Sequence, residues 1–129
     1  MAEGWIWVTS DVAIATHGEQ IAEHGGGEGV RDANLLESAM ARPQNLAIYG
    51  DPDAAALAAA YAYGIARNHP FVDGNKLTAA VVSETFLMLN GHILKPADAE
   101  LLVAFLALAA GDLSEDETAD WFRAHVASD

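Results

Sequence analysis

The sequence predicts an all-α domain of five to six helices, with room for one minor N-terminal β element. Three observations carry that prediction. Apolar residues recur at helical spacing along most of the chain, several of these stretches open on a good capping residue, and 52% of the residues are apolar with alanine abundant. The glycine cluster at 25–29, Pro43 and Gly91 fall where helices are expected to end.

The elements follow in chain order. Trp5, Ile6, Trp7 and Val8 alternate in a way that fits a short strand packed on the core, or equally an exposed aromatic docking patch. Thr9, Ser10 and Asp11 supply cap chemistry for a helix that runs to about His24 and is stopped by the glycines at 25–27 and 29. A second helix begins near Asp32, carries Leu35, Leu36, Ala39 and Met40, and is expected to stop before Pro43, because a residue preceding proline disfavours the helical region. The following stretch RPQNLAIYG then reads as a loop or flap. Asp51-Pro52 marks the start of a third helix, with Leu57, Tyr61 and Ile65 as its apolar stripe, ending around Asn68. A fourth, from about Lys76 to Asn90, is apolar nearly all round and reads as the central buried helix. Gly91 ends it. A fifth covers about Ala97 to Ala110. A sixth opens on the capping box Ser114-Glu115-Asp116-Glu117 and turns Trp121, Phe122 and Val126 inward.

A chain of 129 residues suits one domain with one core, so residues 1–129 are expected to form a single unit. Six Lys and Arg against 19 Asp and Glu give a net charge of −13, while 19% charged residues is too few for a disordered acidic tail. Nucleic acid is a poor expected partner, since phosphate-backbone affinity needs clustered cations. Cysteine is absent, which removes disulfides, thiolate nucleophiles and thiolate metal sites. The longest greasy stretch, 101–110, is shorter than a membrane span, and the first residues do not read as a signal peptide, so a cytoplasmic protein without membrane contact is expected.

The chemistry concentrates in HPFVDGNK, at 69–76, between the third and fourth helices. A loop entering a helix N-terminus offers unpaired N–H groups and a positive dipole end to an anion. Gly74 lets the backbone approach a phosphate, Asn75 has an amide donor, and Lys76 adds a point charge. Asp73 is a hard oxygen ligand suited to Mg²⁺ beside substrate phosphates. His69 is the neighbouring group able to take a proton from an attacking hydroxyl near neutral pH. Each residue alone is ordinary turn or cap chemistry; the ordered string points to phosphoryl transfer.

That string resembles the Fic/Doc superfamily signature HxFx(D/E)GN(G/K)R through His69, Phe71, Asp73, Gly74, Asn75 and Lys76. Lysine at 76 and the text GVRDANLLESAMARPQNLAIYG at 29–50 are similar to the Doc (death-on-curing) branch, the toxin half of Phd/Doc toxin–antitoxin pairs. The resemblance implies a Fic/Doc-type helical domain acting as an ATP- and Mg²⁺-dependent protein kinase on a threonine of elongation factor Tu, partnered by a Phd-like antitoxin. It implies His69 as general base, Asp73 as the Mg²⁺ ligand, and Gly74, Asn75 and Lys76 as phosphate holders. Phe71 would anchor the loop, and a flap with Asn45, Leu46 and Tyr49 would place the target segment. A Fic-type AMP transferase and a non-catalytic antitoxin- or target-binding module are the alternatives.

The chain departs from the signature at Leu77, where the family pattern has arginine. Leucine cannot bind phosphate oxygens bidentately, so impaired catalysis is expected. Loss of the arginine is explained either by a natural degenerate member or by a selected inactivating substitution, and the intact remainder of the motif favours the second. Arg67 and Arg42 are the candidates for a substitute cation. His17 and His24 could share a helix face but lack carboxylates at ligand spacing, His92 and His125 read as exposed or locally bonded, and the acidic run at 112–120 fits a helix first turn better than a calcium loop.

Overall fold

A computed structural model describes residues 4–95 and 98–128. The described residues form six helices: α1 Ser10–His24, α2 Ala33–Tyr49, α3 Ala54–Asn68, α4 Asn75–Leu89, α5 Asp98–Ala110 and α6 Glu115–His125. The fold is all-α, as the periodicity requires. Its small β element lies elsewhere than expected: β1 His92–Leu94 pairs antiparallel with β2 Val126–Ser128, in the register His92 to Ser128 and Leu94 to Val126. No helix among the described residues is long and apolar enough to cross a membrane.

The N-terminal segment is extended without joining a sheet. Its backbone groups are satisfied by side chains instead: Ile6 donates to Asn90 Oδ1 at 2.8 Å and accepts from Asn90 Nδ2 at 2.9 Å. Val8 N–H donates to the Tyr61 hydroxyl at 2.9 Å, which itself donates to Val8 O at 3.2 Å. Trp5 and Trp7 lie 5.9 and 6.0 Å from the Phe86 ring, so this aromatic pair covers the core and is not a free docking patch. Burial pushes the Tyr61 phenol up to about 12, above its ordinary value of 10.0. A phenol whose folded value is raised gives stability that is whole below the unfolded value and is lost as the pH climbs towards the folded one. Melting temperature should therefore fall between about pH 10 and 12, and Tyr61→Phe should flatten that limb.

Local capping explains most helix starts. Thr9 accepts Val12 N–H for α1, Asp32 accepts Leu35 N–H for α2, and Ser114 with Glu117 forms the full capping box of α6. The third helix starts two residues later than Asp51-Pro52 suggests. Asp53 is its cap, accepting Ala56 N–H, and Arg123 of α6 grips the same carboxylate at 2.6 and 3.0 Å. That grip holds the Asp53 carboxyl below its ordinary range.

The largest departure is α2, which continues through Pro43 to Tyr49, so the expected loop over 42–50 is helix up to Tyr49. Leu36, Met40, Pro43 and Ala47 are buried on one stripe at helical spacing. Burial of that stripe offsets the cost of proline inside a helix, about 3 kcal/mol or more from the lost hydrogen bond and the ring clash together. The helix α3, against which it packs, is the truly central one: Leu57, Tyr61, Ile65 and the alanines 58–60, 62 and 66 are fully buried. The fourth helix, expected to be buried all round, leaves Met88 and Leu89 exposed at its end. Val126, expected in α6, instead begins β2.

Small residues let α2 and α3 approach closely. A Cβ on Gly64 would stand 3.2 Å from the Cα and Cβ of Ala39 and 3.3 Å from its carbonyl oxygen. Backbone cannot yield as a flexible side chain does, so Gly64→Val is expected to cost about 1–3 kcal/mol by overpacking, read as a lower denaturation midpoint at unchanged m-value.

Candidate functional site

The segment joining α3 to α4 is anchored at every turn. His69 caps α3 in the left-handed region, at φ 49° and ψ 56°, with its N–H on Ile65 O. Among the described residues it is the one non-glycine at positive φ. Histidine tolerates this conformation better than most residues, yet something must hold it. Arg31 does so: its Nε donates to His69 O at 2.8 Å and its Nη2 to Asn68 O at 2.9 Å, placing a cation on the last carbonyls of α3.

Phe71 is buried and forms an antiparallel bridge with Val30. Arg31 and Asp32 N–H groups donate to Pro70 O, and Val72 N–H donates to Gly29 O. The 29–32 segment thus runs beside the motif loop as a short strap. Asn75, also buried, closes the loop from the other side: Phe71 N–H donates to its Oδ1 at 3.0 Å, and its Nδ2 donates to Phe71 O at 3.0 Å. This corrects one expectation. The Asn75 amide is spent on the loop's own backbone, so what Asn75 offers an anion is its main-chain N–H.

That N–H opens α4, whose N-cap Gly74 sits at φ 71° and ψ 20° and provides no side-chain cap. The first turn of a long helix therefore presents its donors outward. They face a cleft of about 580 Å³ lined by His24, His69, Val72, Asp73, Gly74, Asn75, Lys76, Leu77, Leu102 and Leu106. The structure gathers the expected base, carboxylate, phosphate-facing backbone and lysine around this space, with Leu77 in its wall.

Asp73 is exposed, and each of its carboxylate oxygens accepts one backbone donor: Oδ1 from Gly74 N–H at 3.1 Å and Oδ2 from Gly27 N–H at 3.3 Å. Each oxygen keeps acceptor capacity for a further ligand. No cluster of three or more His, Cys, Asp or Glu able to hold a metal occurs among the described residues. A single carboxylate is nevertheless a protein donor of the kind Mg²⁺ ordinarily uses when substrate phosphate oxygens and water complete its shell.

The other expected site residues lie apart. Asn45, Leu46 and Tyr49 are exposed on the last turns of α2, and none lines the cleft. Neither Arg42 nor Arg67 replaces the missing arginine. Arg42 pairs with Glu115, both guanidinium groups lie 5.3 Å from the Tyr63 ring, and neither reaches the cleft wall. His125 bonds locally to Trp121 O at 2.7 Å.

Sequence reasoning missed two contributors. Helix α1 turns His17, Ile21 and His24 toward the motif: His17 touches its backbone, Ile21 packs against Gly74, and His24 lines the cleft. The glycines after α1 do more than end it. A Cβ on Gly26 would lie 2.9 Å from Asp73 Oδ2, and one on Gly27 would lie 2.6 Å from Val72 Cγ1. The available signal was the spacing of 17, 21 and 24 immediately before a glycine cluster.

Comparison with known proteins identifies the family. The family model described as "Fic/DOC family" matches residues 7–87, from the N-terminal segment through most of α4. The chain is similar to "Protein kinase doc" of Escherichia phage P1, 32% identical over 119 residues that cover 90% of this chain and 92% of that protein. It is also similar to "Toxin Doc" of Mycolicibacterium smegmatis (strain ATCC 700084 / mc(2)155), 49% identical over 70 residues. That second match takes in 52% of this chain and spans about half of the relative, 53% of its length. The family match takes in α3, the whole loop at 69–76 and most of α4, though not Leu102 and Leu106 of the cleft wall, and the chain accordingly belongs to the Fic/DOC family.

Proposed function

We propose that this protein is the toxin of a Phd/Doc-type toxin–antitoxin pair, built to transfer the γ-phosphate of ATP to a threonine hydroxyl of elongation factor Tu and so to block translation. One observation carries the reading: the uncapped N-terminus of α4 opens into the same cleft as His69, Asp73 and Lys76. The names of the two relatives, a protein kinase and a toxin, support the kinase and toxin parts of it.

In this reading His69, held in place through its carbonyl by Arg31, takes the proton of the target hydroxyl. The hydroxyl oxygen then bonds to the γ-phosphorus as the bond from phosphorus to the β–γ bridging oxygen breaks, and ADP leaves. Lys76 and the first N–H groups of α4 hold phosphate oxygens during the transfer. Asp73 would hold Mg²⁺, which neutralises phosphate charge when bound. The protein bears a net charge of −13, so attraction for ATP has to come from these few groups at short range.

Leu77 weakens the last part of the machinery. Together with Leu102 and Leu106 it gives the cleft an apolar wall where a second cation would serve the phosphates. That wall favours a second reading, a binding module that keeps its antitoxin contacts without turnover. Incubation of the Leu77→Arg variant with elongation factor Tu and labelled ATP separates the cases. Transfer of γ label is expected; transfer of α label alone would make the protein an AMP transferase, and transfer of neither would leave the binding module.

A further inference from the structure

His17 is not among the residues that line the cleft, yet it reaches the motif loop at two points. It is 3% exposed, although it sits on the first helix and is separated from Asp73 by 56 positions. Its Nε2 lies 2.8 Å from Asp73 O, and because a carbonyl only accepts, Nε2 carries the hydrogen. Its ring stacks on Phe71 with 4.1 Å between centroids and 6° between planes. One imidazole therefore grips the main chain of the carboxylate and the face of the loop's buried anchor.

We propose that His17 is a positioning residue for the Asp73 carboxylate and the α4 N-terminus. The peptide after Asp73 has its carbonyl pinned by His17, while its N–H, on Gly74, donates to Asp73 Oδ1. Both ends of that one peptide unit are thus engaged, which fixes the direction in which α4 opens. Gly27 N–H on Oδ2 then fixes the carboxylate rotation, and Ile21, one helical turn after His17, packs against Gly74. Phenylalanine at 17 would keep the stack and lose the donor; glutamine would keep a donor at similar reach and lose the ring. A residue that merely filled space would behave in the opposite way, tolerating phenylalanine best.

The loop's protection and the histidine tautomer test this without nucleotide. In the native chain, ¹⁵N spectra are expected to show His17 protonated at Nε2; a ring protonated only at Nδ1 would overturn the proposal. In His17→Phe, the amides of Phe71, Val72 and Thr78, all bonded within or beside the loop, should exchange at least tenfold faster, those of α3 should change less than twofold, and His17→Gln should recover much of the loop's protection. Equal exchange in all three proteins, or a uniform rise across the fold, would overturn it. The consequence for metal rests on the kinase reading: at fixed ATP, the apparent Mg²⁺ affinity should fall about tenfold in His17→Phe and recover in His17→Gln. Should the tautomer and exchange results hold while no variant binds Mg²⁺ and ATP, the positioning role stands and the nucleotide reading fails.

Discussion

Leu77→Arg is expected to raise γ-phosphate transfer to elongation factor Tu by on the order of 10³–10⁵, the usual worth of an arginine that stabilises a transferring phosphoryl group. The position supports a gain of that size. Leu77 follows Lys76 in the first turn of α4 and already lines the cleft, so a guanidinium there needs no rearrangement of the backbone to reach phosphate oxygens. Neither candidate substitute lines the cleft: Arg42 pairs with Glu115 and lies over Tyr63, and Arg67 lies over Tyr63. Leu77→Lys should recover much less, since an ammonium cannot make the two parallel hydrogen bonds of a guanidinium. Label transfer measured at saturating ATP for the three proteins decides it. A Leu77→Arg rate within threefold of the parent would mean that position 77 does not serve the phosphates.

Asn75→Ala is expected to lower stability by about 2–6 kcal/mol, because truncation leaves two buried backbone groups of Phe71 without partners at roughly 1–3 kcal/mol each. The effect on chemistry should be larger than the loss of a surface donor would suggest. Freed from the Asn75 clasp, the turn over residues 71–75 no longer sets Gly74 at φ 71°, and the donors of α4 lose their common direction. Transfer in the Leu77→Arg background should drop below detection at temperatures where the variant remains folded. Asn75→Asp tests the geometry more narrowly. It keeps the acceptor for Phe71 N–H but sets a carboxylate oxygen against Phe71 O, so it should be no more stable than Asn75→Ala when ionised. Chemical denaturation of the three proteins measures the order, and wild-type stability in either variant would remove the clasp from the account.

Much of the site was legible because its residues are consecutive. His69, Asp73, Gly74, Lys76 and Leu77 needed only a loop between two helices to meet around one space, and helix periodicity with capping residues predicts such a loop directly. Asn75 was legible as a member and misread in its role, since the sequence does not say whether an amide turns outward to a ligand or back to the main chain two elements of a turn away. His17 and Gly26 were legible only as a helical histidine and a helix stop. Their partners are in the motif loop, dozens of positions later in the chain.

The sequence by itself determined the helical class, the caps of α1, α2 and α6, and the loop between α3 and α4 that forms the candidate site. Each of these depends on contacts within about one turn, so local composition is enough to decide it. Only the tertiary structure decided that α2 passes through Pro43, that Asp53 and not Asp51 caps α3, and that the chain's β pairing joins β1 to β2. It alone decided that α1 and its glycines hold Asp73. In each case a local preference of a few kcal/mol was opposed or redirected by burial and hydrogen bonding from another element, and which element arrives is a property of the packed fold.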